Sequence, residues 1–537
     1  MRKGLFILVP LSAFSLHAAT PPHGDDRLRE LVVPPQMNLT FHFGFSFQGY
    51  KYVMDNNTDL PDEIARLREA VQQRPDEVQQ LLQLGSLLDK NGETNASRIC
   101  YQKAEQLCRS RTAVRPQDGL VLTELGAALR ELGKDEEAEH VYRQAVLVSS
   151  NEWRCWVGLG NFLANESCAS MFPKELRDQI GPSPQPPPRA VLDYRPSPEA
   201  LKKAEASSVE ASRCFDRAMA LAPEEPQVYF QRACYMSVSN WESCFFRRDR
   251  DNEELNATNL VLSFFSKQTI ANLQKAAELS PRNYEYISLA AYWEWFNAVI
   301  QANRPNAVQM TPEMLPDKTR RSVLGAMTRL ENLSENSDQK SAAGALDNLG
   351  VLNMAFGNSQ AAAANFRRAV SLDPTVGESW DLLLGALLDS SASPDQLVTV
   401  CQSRLKYDSS ARNHLLLAKA YDTQKEWPKA SEQAEIAEKL ETNNVVAPLL
   451  LAAIALKQSQ NTNYLSVADT DLGHASTLLQ IMPESDERVQ RWREFAYDGA
   501  ILCALKGQPE AARNCLREVL KHFPDDETAK NILEAVQ

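Results

Sequence analysis

The sequence predicts an all-α solenoid of about ten helix pairs, and three observations carry that prediction. Leu346, Trp380, His414 and Pro448 stand 34 residues apart, as do Leu349, Leu383, Leu417 and Leu451. Within each period, small and apolar residues recur at spacings of three and four, which marks one face of a helix. Glycine and proline fall between those runs, where a turn is needed and a helix must stop. A fixed period of this length means one supersecondary unit copied many times.

The clearest copy runs from Ala343 to Pro374. Leu346, Leu349 and Gly350 belong to its first helix, and Ala362, Phe366 and Ala369 to its second. Gly357 sits between the two and Pro374 ends the second. Small residues at Gly350 and Ala362 let the helices approach closely, while larger side chains fill the gaps between units. The same pattern recurs from Leu81 to Ala104, from Leu122 to Ala145 and from Trp156 to Gly160. It returns around Ala211 to Pro223, Tyr229 to Ala233 with Leu273 to Pro281, and Ile287 to Ala291. Trp380 to Leu387, Leu417 to Ala437, Leu451 to Pro483 and Ala500 to Pro524 complete the series. Residues 526–536 read as the polar capping helix that such arrays need.

These units resemble the tetratricopeptide repeat family over nearly everything from about Leu60 onward. The resemblance implies paired antiparallel helices stacked into a right-handed superhelix, with a concave groove lined chiefly by the first helix of each pair. By register, Arg154, Asn161, Gln227, Gln231, Tyr292, Asn348, Asp381, Arg412 and Lys419 should face that groove. The specific Lys, Asn and Arg set of the family's carboxylate clamp is missing, which argues against capture of a chain's C-terminal carboxylate.

Departures from the beat mark what is particular to this chain. Insertions fall at about 166–198, 239–262 and 301–318, each between the two helices of its unit, and a further one at about 457–469. The first carries Pro182, Pro184, Pro186, Pro187 and Pro188 and is expected to be extended. The second mixes Trp241, Phe245 and Phe246 with Arg247 to Asp251. Three consecutive insertions on one rim could form a lateral lobe that tunes the groove, with Trp241 and Phe245 as partner-binding candidates. The bland alternative is solvated ornament. Six aromatics crowd Tyr284 to Phe296, where packing is the expected role.

Residues 20–59 precede the array. Phe41, Phe43, Phe45 and Phe47 alternate with His42, Gly44 and Ser46, a period of two that predicts a strand. No second strand is evident nearby. The segment is expected to lie over the helix from Pro61 to Gln73 and cap the array; pairing with a partner's strand is the alternative.

Composition bounds the rest. The chain of 537 residues has a formal net charge of −13. That balance opposes non-specific nucleic-acid binding, which needs clustered Lys and Arg. Arg2 and Lys3, then an apolar run from Leu5 to Leu16, then Ala18 and Ala19, read as a signal peptide over residues 1–19. The run is too short, and broken by Pro10, to span a bilayer comfortably. Export makes disulfides conceivable for ten cysteines. Cys503 and Cys515 fall on adjacent antiparallel helices, where a bridge is one reading and apolar filling the other.

No phosphate loop, zinc helix or nucleophile elbow is present, and the seven His are scattered. No catalytic residue, cofactor or metal is therefore expected. The sequence points to a non-enzymatic, exported scaffold, periplasmic or secreted, that binds protein partners through its groove and lateral lobe. Binding or export of envelope glycan, and a structural role in envelope assembly, are the other classes it leaves open.

Overall fold

The computed structural model describes residues 41–46, 49–54, 60–173, 176, 194–236, 239, 266–301, 313, 315–483 and 486–536. The expected signal peptide, most of the first three insertions, and Trp241 and Phe245 lie outside the described residues. The chain falls into two compact units, the first within Gln36–Gly357 and the second within Asn358–Gln537.

In the first unit a short hairpin, β1 (Phe41–Ser46) and β2 (Gly49–Met54), precedes the helices. The helices are α1 (Leu60–Gln73), α2 (Val78–Lys90), α3 (Thr94–Val114), α4 (Gly119–Glu131), α5 (Asp135–Val148) and α6 (Trp153–Met171). They continue with α7 (Pro198–Leu221), α8 (226–236), α9 (Lys267–Leu279), α10 (Tyr284–Gln301), α11 (Asp317–Asn336) and α12 (Gln339–Ala355). The second unit holds α13 (Ser359–Leu372), α14 (Gly377–Asp389), α15 (Pro394–Leu405), α16 (Ala411–Thr423) and α17 (Trp427–Leu440). It ends with α18 (Val446–Lys457), α19 (Asn463–Ile481), α20 (Asp486–Leu505), α21 (Pro509–His522) and α22 (Glu527–Ala535).

Even-numbered helices from α2 to α20 open the repeats, and the odd-numbered helix that follows closes each one. Within a unit, consecutive helices pack on one another, as α4 does on α5 and α16 on α17. First helices also touch the next first helix, α4 against α6 and α18 against α20. This is the all-α array of helix hairpins that the period predicts.

The residues of the repeat explain the packing. A Cβ placed on Gly85 would stand 2.5 Å from the Tyr101 ring, and one on Gly126 would stand 3.0 Å from Tyr142. Gly160 meets Phe215 in the same way at 3.1 Å. An aromatic of the second helix thus lies in the notch that a glycine leaves on the first. The turns follow the register too. Gly92, Gly133, Gly357 and Gly507 have positive φ, as the left-handed turn residue between helices requires. The copies 34 and 68 residues after Gly357 are Ser391 and Lys425, and both hold positive φ without being glycine. The fourth position of a first helix ties back to the preceding turn. Trp156 Nε1 donates to Ser150 O, Trp380 Nε1 to Pro374 O and Tyr229 Oη to Pro223 O, each at 2.9 Å.

Three expectations need correction. The aromatic-alternating strand has a partner: β1 pairs antiparallel with β2, Phe43 opposite Tyr52. The second strand was hard to see because Gly49 to Met54 lacks the strict alternation of the first. β2 lies against α6. The insertion expected from 166 begins later, because α6 runs on to Met171. The segment 457–469 holds only a short turn, since α19 starts at Asn463 and takes up its remainder.

Candidate binding face of the first helices

Within each unit a first helix packs on its own second helix and on a neighbouring first helix, as α4 does on α5 and α6 and α18 does on α19 and α20. The residues that register assigns to a groove take different places in this packing. In the first unit Arg154 is exposed, paired with Glu152 at 3.1 Å and resting 4.7 Å above the Trp153 ring. Asn161, two turns further along α6, is buried, and its Oδ1 has no hydrogen-bond donor. Gln227 is half-buried on α8 and Gln231 is buried. The Tyr292 side chain lies outside the described residues.

Asn348 departs from expectation. It is buried, and its Nδ2 donates to Tyr284 Oη at 3.1 Å and Ser288 Oγ at 3.0 Å. Its amide ties α12 to α10 instead of facing a ligand. Among the crowded aromatics, Trp293 is buried and Tyr286 packs on Phe230 with ring centres 4.9 Å apart, a packing role as expected.

The second unit brings charges together. Asp381 of α14 accepts from Arg404 of α15 at 2.5 Å and from Arg412 of α16 at 3.0 and 3.1 Å. Arg404 is 3% exposed, while the Arg412 side chain keeps 38% of its surface. Glu378 stands one turn before Asp381. Burial, and then the Asp381 charge, push its carboxyl up to about 7. Trp380 stacks on the exposed Tyr407 beside this cluster, ring centres 6.3 Å apart. Lys419 is buried on α16.

Arg404 and Glu378 were missed by reading the register alone. The available signal for Arg404 was a basic residue on the apolar stripe of α15, in step with Leu397 and Cys401. Such a residue must find a countercharge when buried.

Cys503 and Cys515 are free thiols, both half-buried, which corrects the bridge reading. They lie on packed helices α20 and α21. Burial and the neighbouring Cys503 push the Cys515 thiol up. His414 is a packing residue, with Ser409 Oγ 3.0 Å from Nε2 and Gln433 Oε1 2.9 Å from Nδ1. Among the described residues no group of three His, Cys, Asp or Glu is arranged for a metal. None of the described helices is long and apolar enough to cross a membrane. An open cleft of about 570 Å³ lies between the Arg115–Leu120 turn and Ser149 to Glu152.

The Tetratricopeptide repeat family model matches residues 121–152 and 343–376. No curated protein sequence matches the chain. Among solved structures, yeast Tom70 is 15% identical, with 89% of this chain and 92% of that chain covered at a TM-score of 0.30. The C-terminal part of a TPR repeat-containing protein from Cytophaga hutchinsonii is 13% identical, covering 55% of this chain and 99% of its own at 0.36. The APC/C hetero-tetramer Cut9-Hcn1 is 12% identical, with 86% and 96% covered at 0.27. Scores this low carry no functional argument. The family matches at 121–152 and 343–376, set among helix hairpins of one period, identify tetratricopeptide repeats in this chain.

Proposed function

We propose that this chain is a non-enzymatic scaffold that holds protein partners along the inner face of its first helices. The observation that carries the reading is the Arg404–Asp381–Arg412 cluster, which sets directional charges across two successive hairpins. Repeats that present such groups in series suit an extended or helical segment of another protein. The polar and ionic character of the described face favours protein over glycan, which would call for stacked aromatics. The basic start and apolar run of residues 1–19 support an exported, periplasmic or secreted scaffold.

Photo-crosslinking residues placed at Gln227 and, separately, at Arg412 should each capture a small, reproducible set of proteins in cells. The same residue at the exposed, second-helix positions Lys202 and Lys439 should capture none of them. Equal capture from both sets would overturn the assignment. Recovery of the chain from an osmotic-shock fraction tests the export.

A further inference from the structure

A strand of the N-terminal hairpin packs against α6. Three sides of this helix can be assigned from its glycines and its neighbours. Gly160 faces Phe215 and Cys214 of α7. Gly158 faces Thr123 of α4 and Tyr142 of α5. A further side carries Val157, Asn161 and Ala164, and all three are buried. β2 is the strand packed against this helix.

A two-stranded hairpin is at best marginally stable alone in water and needs a surface to lie on. The fit is incomplete, because Asn161 Oδ1 on that side is buried with no donor. A buried acceptor left unserved weakens the seat, and a segment that offers it an N–H would compete well.

We propose that the hairpin of residues 41–54 is a cis ligand of the first-helix face on α6, a stand-in that an extended segment of a partner must displace. The proposal rests on the inner face being the binding face. It makes the α6 surface a receptor for extended chain and the hairpin its internal competitor.

The test uses the full chain and a synthetic peptide of residues 41–54. Lys51→Pro with Val53→Pro removes two ladder N–H groups and should unseat the hairpin. This variant should bind the labelled peptide saturably, with an affinity at least tenfold above that of the unaltered chain, whose tethered copy competes at high effective concentration. A photo-crosslinking residue at Arg154 should join the bound peptide to α6. Unchanged helical circular dichroism verifies that the array is intact. Equal peptide binding by both chains overturns the proposal, as does no binding by the proline variant. Neither result alters partner capture at Gln227 and Arg412, which tests the broader reading separately.

Discussion

The Tyr142 ring lies 3.0 Å from where a Cβ would stand on Gly126, so the second helix of this repeat is seated in a notch that only glycine leaves open. Gly126→Val should force the two helices apart and destabilise the first unit by about 1–3 kcal/mol. Urea unfolding of the full chain should show an earlier transition. Gly473→Ala on α19, with nothing within 4 Å, should act oppositely and stabilise by about 0.5–1 kcal/mol.

The turn residue Lys425 has a φ of 62°, in the place where Gly357 stands two repeats earlier. A side chain in that left-handed region carries a local cost of about 1–2 kcal/mol. Lys425→Gly should therefore raise the stability of the second unit, by about 1 kcal/mol after the greater chain entropy of glycine is offset. Differential scanning calorimetry checks the sign.

Buried Arg404 pairs with half-buried Asp381, so removing the carboxylate strands the guanidinium. Asp381→Asn should cost about 3 kcal/mol, because Arg404 keeps its charge where water cannot reach it. The exposed Arg68–Glu93 pair offers the contrast. Arg68→Ala should change stability by less than about 1 kcal/mol. Chemical denaturation of both variants separates the two cases.

Glu378 holds its proton up to about pH 7 in the folded chain, against 4.5 for an ordinary glutamate. The folded state binds that proton more tightly than the unfolded state. Stability from this group is therefore greatest below pH 4.5 and falls as pH rises through 7. The full loss is at most about 3 kcal/mol. Glu378→Gln should be more stable than the parent at pH 8, and the advantage should shrink towards pH 5. Urea midpoints at the two pH values measure it.

Thiol chemistry should follow burial. All nine described cysteines are free; Cys108, Cys155, Cys214, Cys234 and Cys401 are buried, whereas Cys503 and Cys515 are half-buried. An alkylating reagent should label Cys503 and Cys515 in the native chain without prior reduction. The five buried thiols should react only after unfolding. Peptide mass spectrometry reads both outcomes.

Much of the fold was legible because the repeat writes it many times. Gly350, Gly357 and Pro374 each answer a local backbone demand, and that demand recurs with the period, even where Ser391 and Lys425 stand in place of the turn glycine. The hairpin partner β2 was not legible, since Gly49 to Met54 has weak alternation and its pairing is set by the chain's return. The candidate face was legible in part. Register brought Asp381 and Arg412 to one place, but Arg404 arrives from a second helix 23 residues away. Register also put Asn348 with the groove residues, where its amide is used internally by Tyr284 and Ser288.

The sequence by itself determined the helix pairs, their turns and the notch between them. These depend on contacts within one period, and spacing reports them directly. Tertiary structure alone decided which polar groups are spent on internal links, which charges meet at Asp381, and that β2 rests on α6. Those outcomes join residues of different helices and repeats, and a single linear period carries no information about their distance in space.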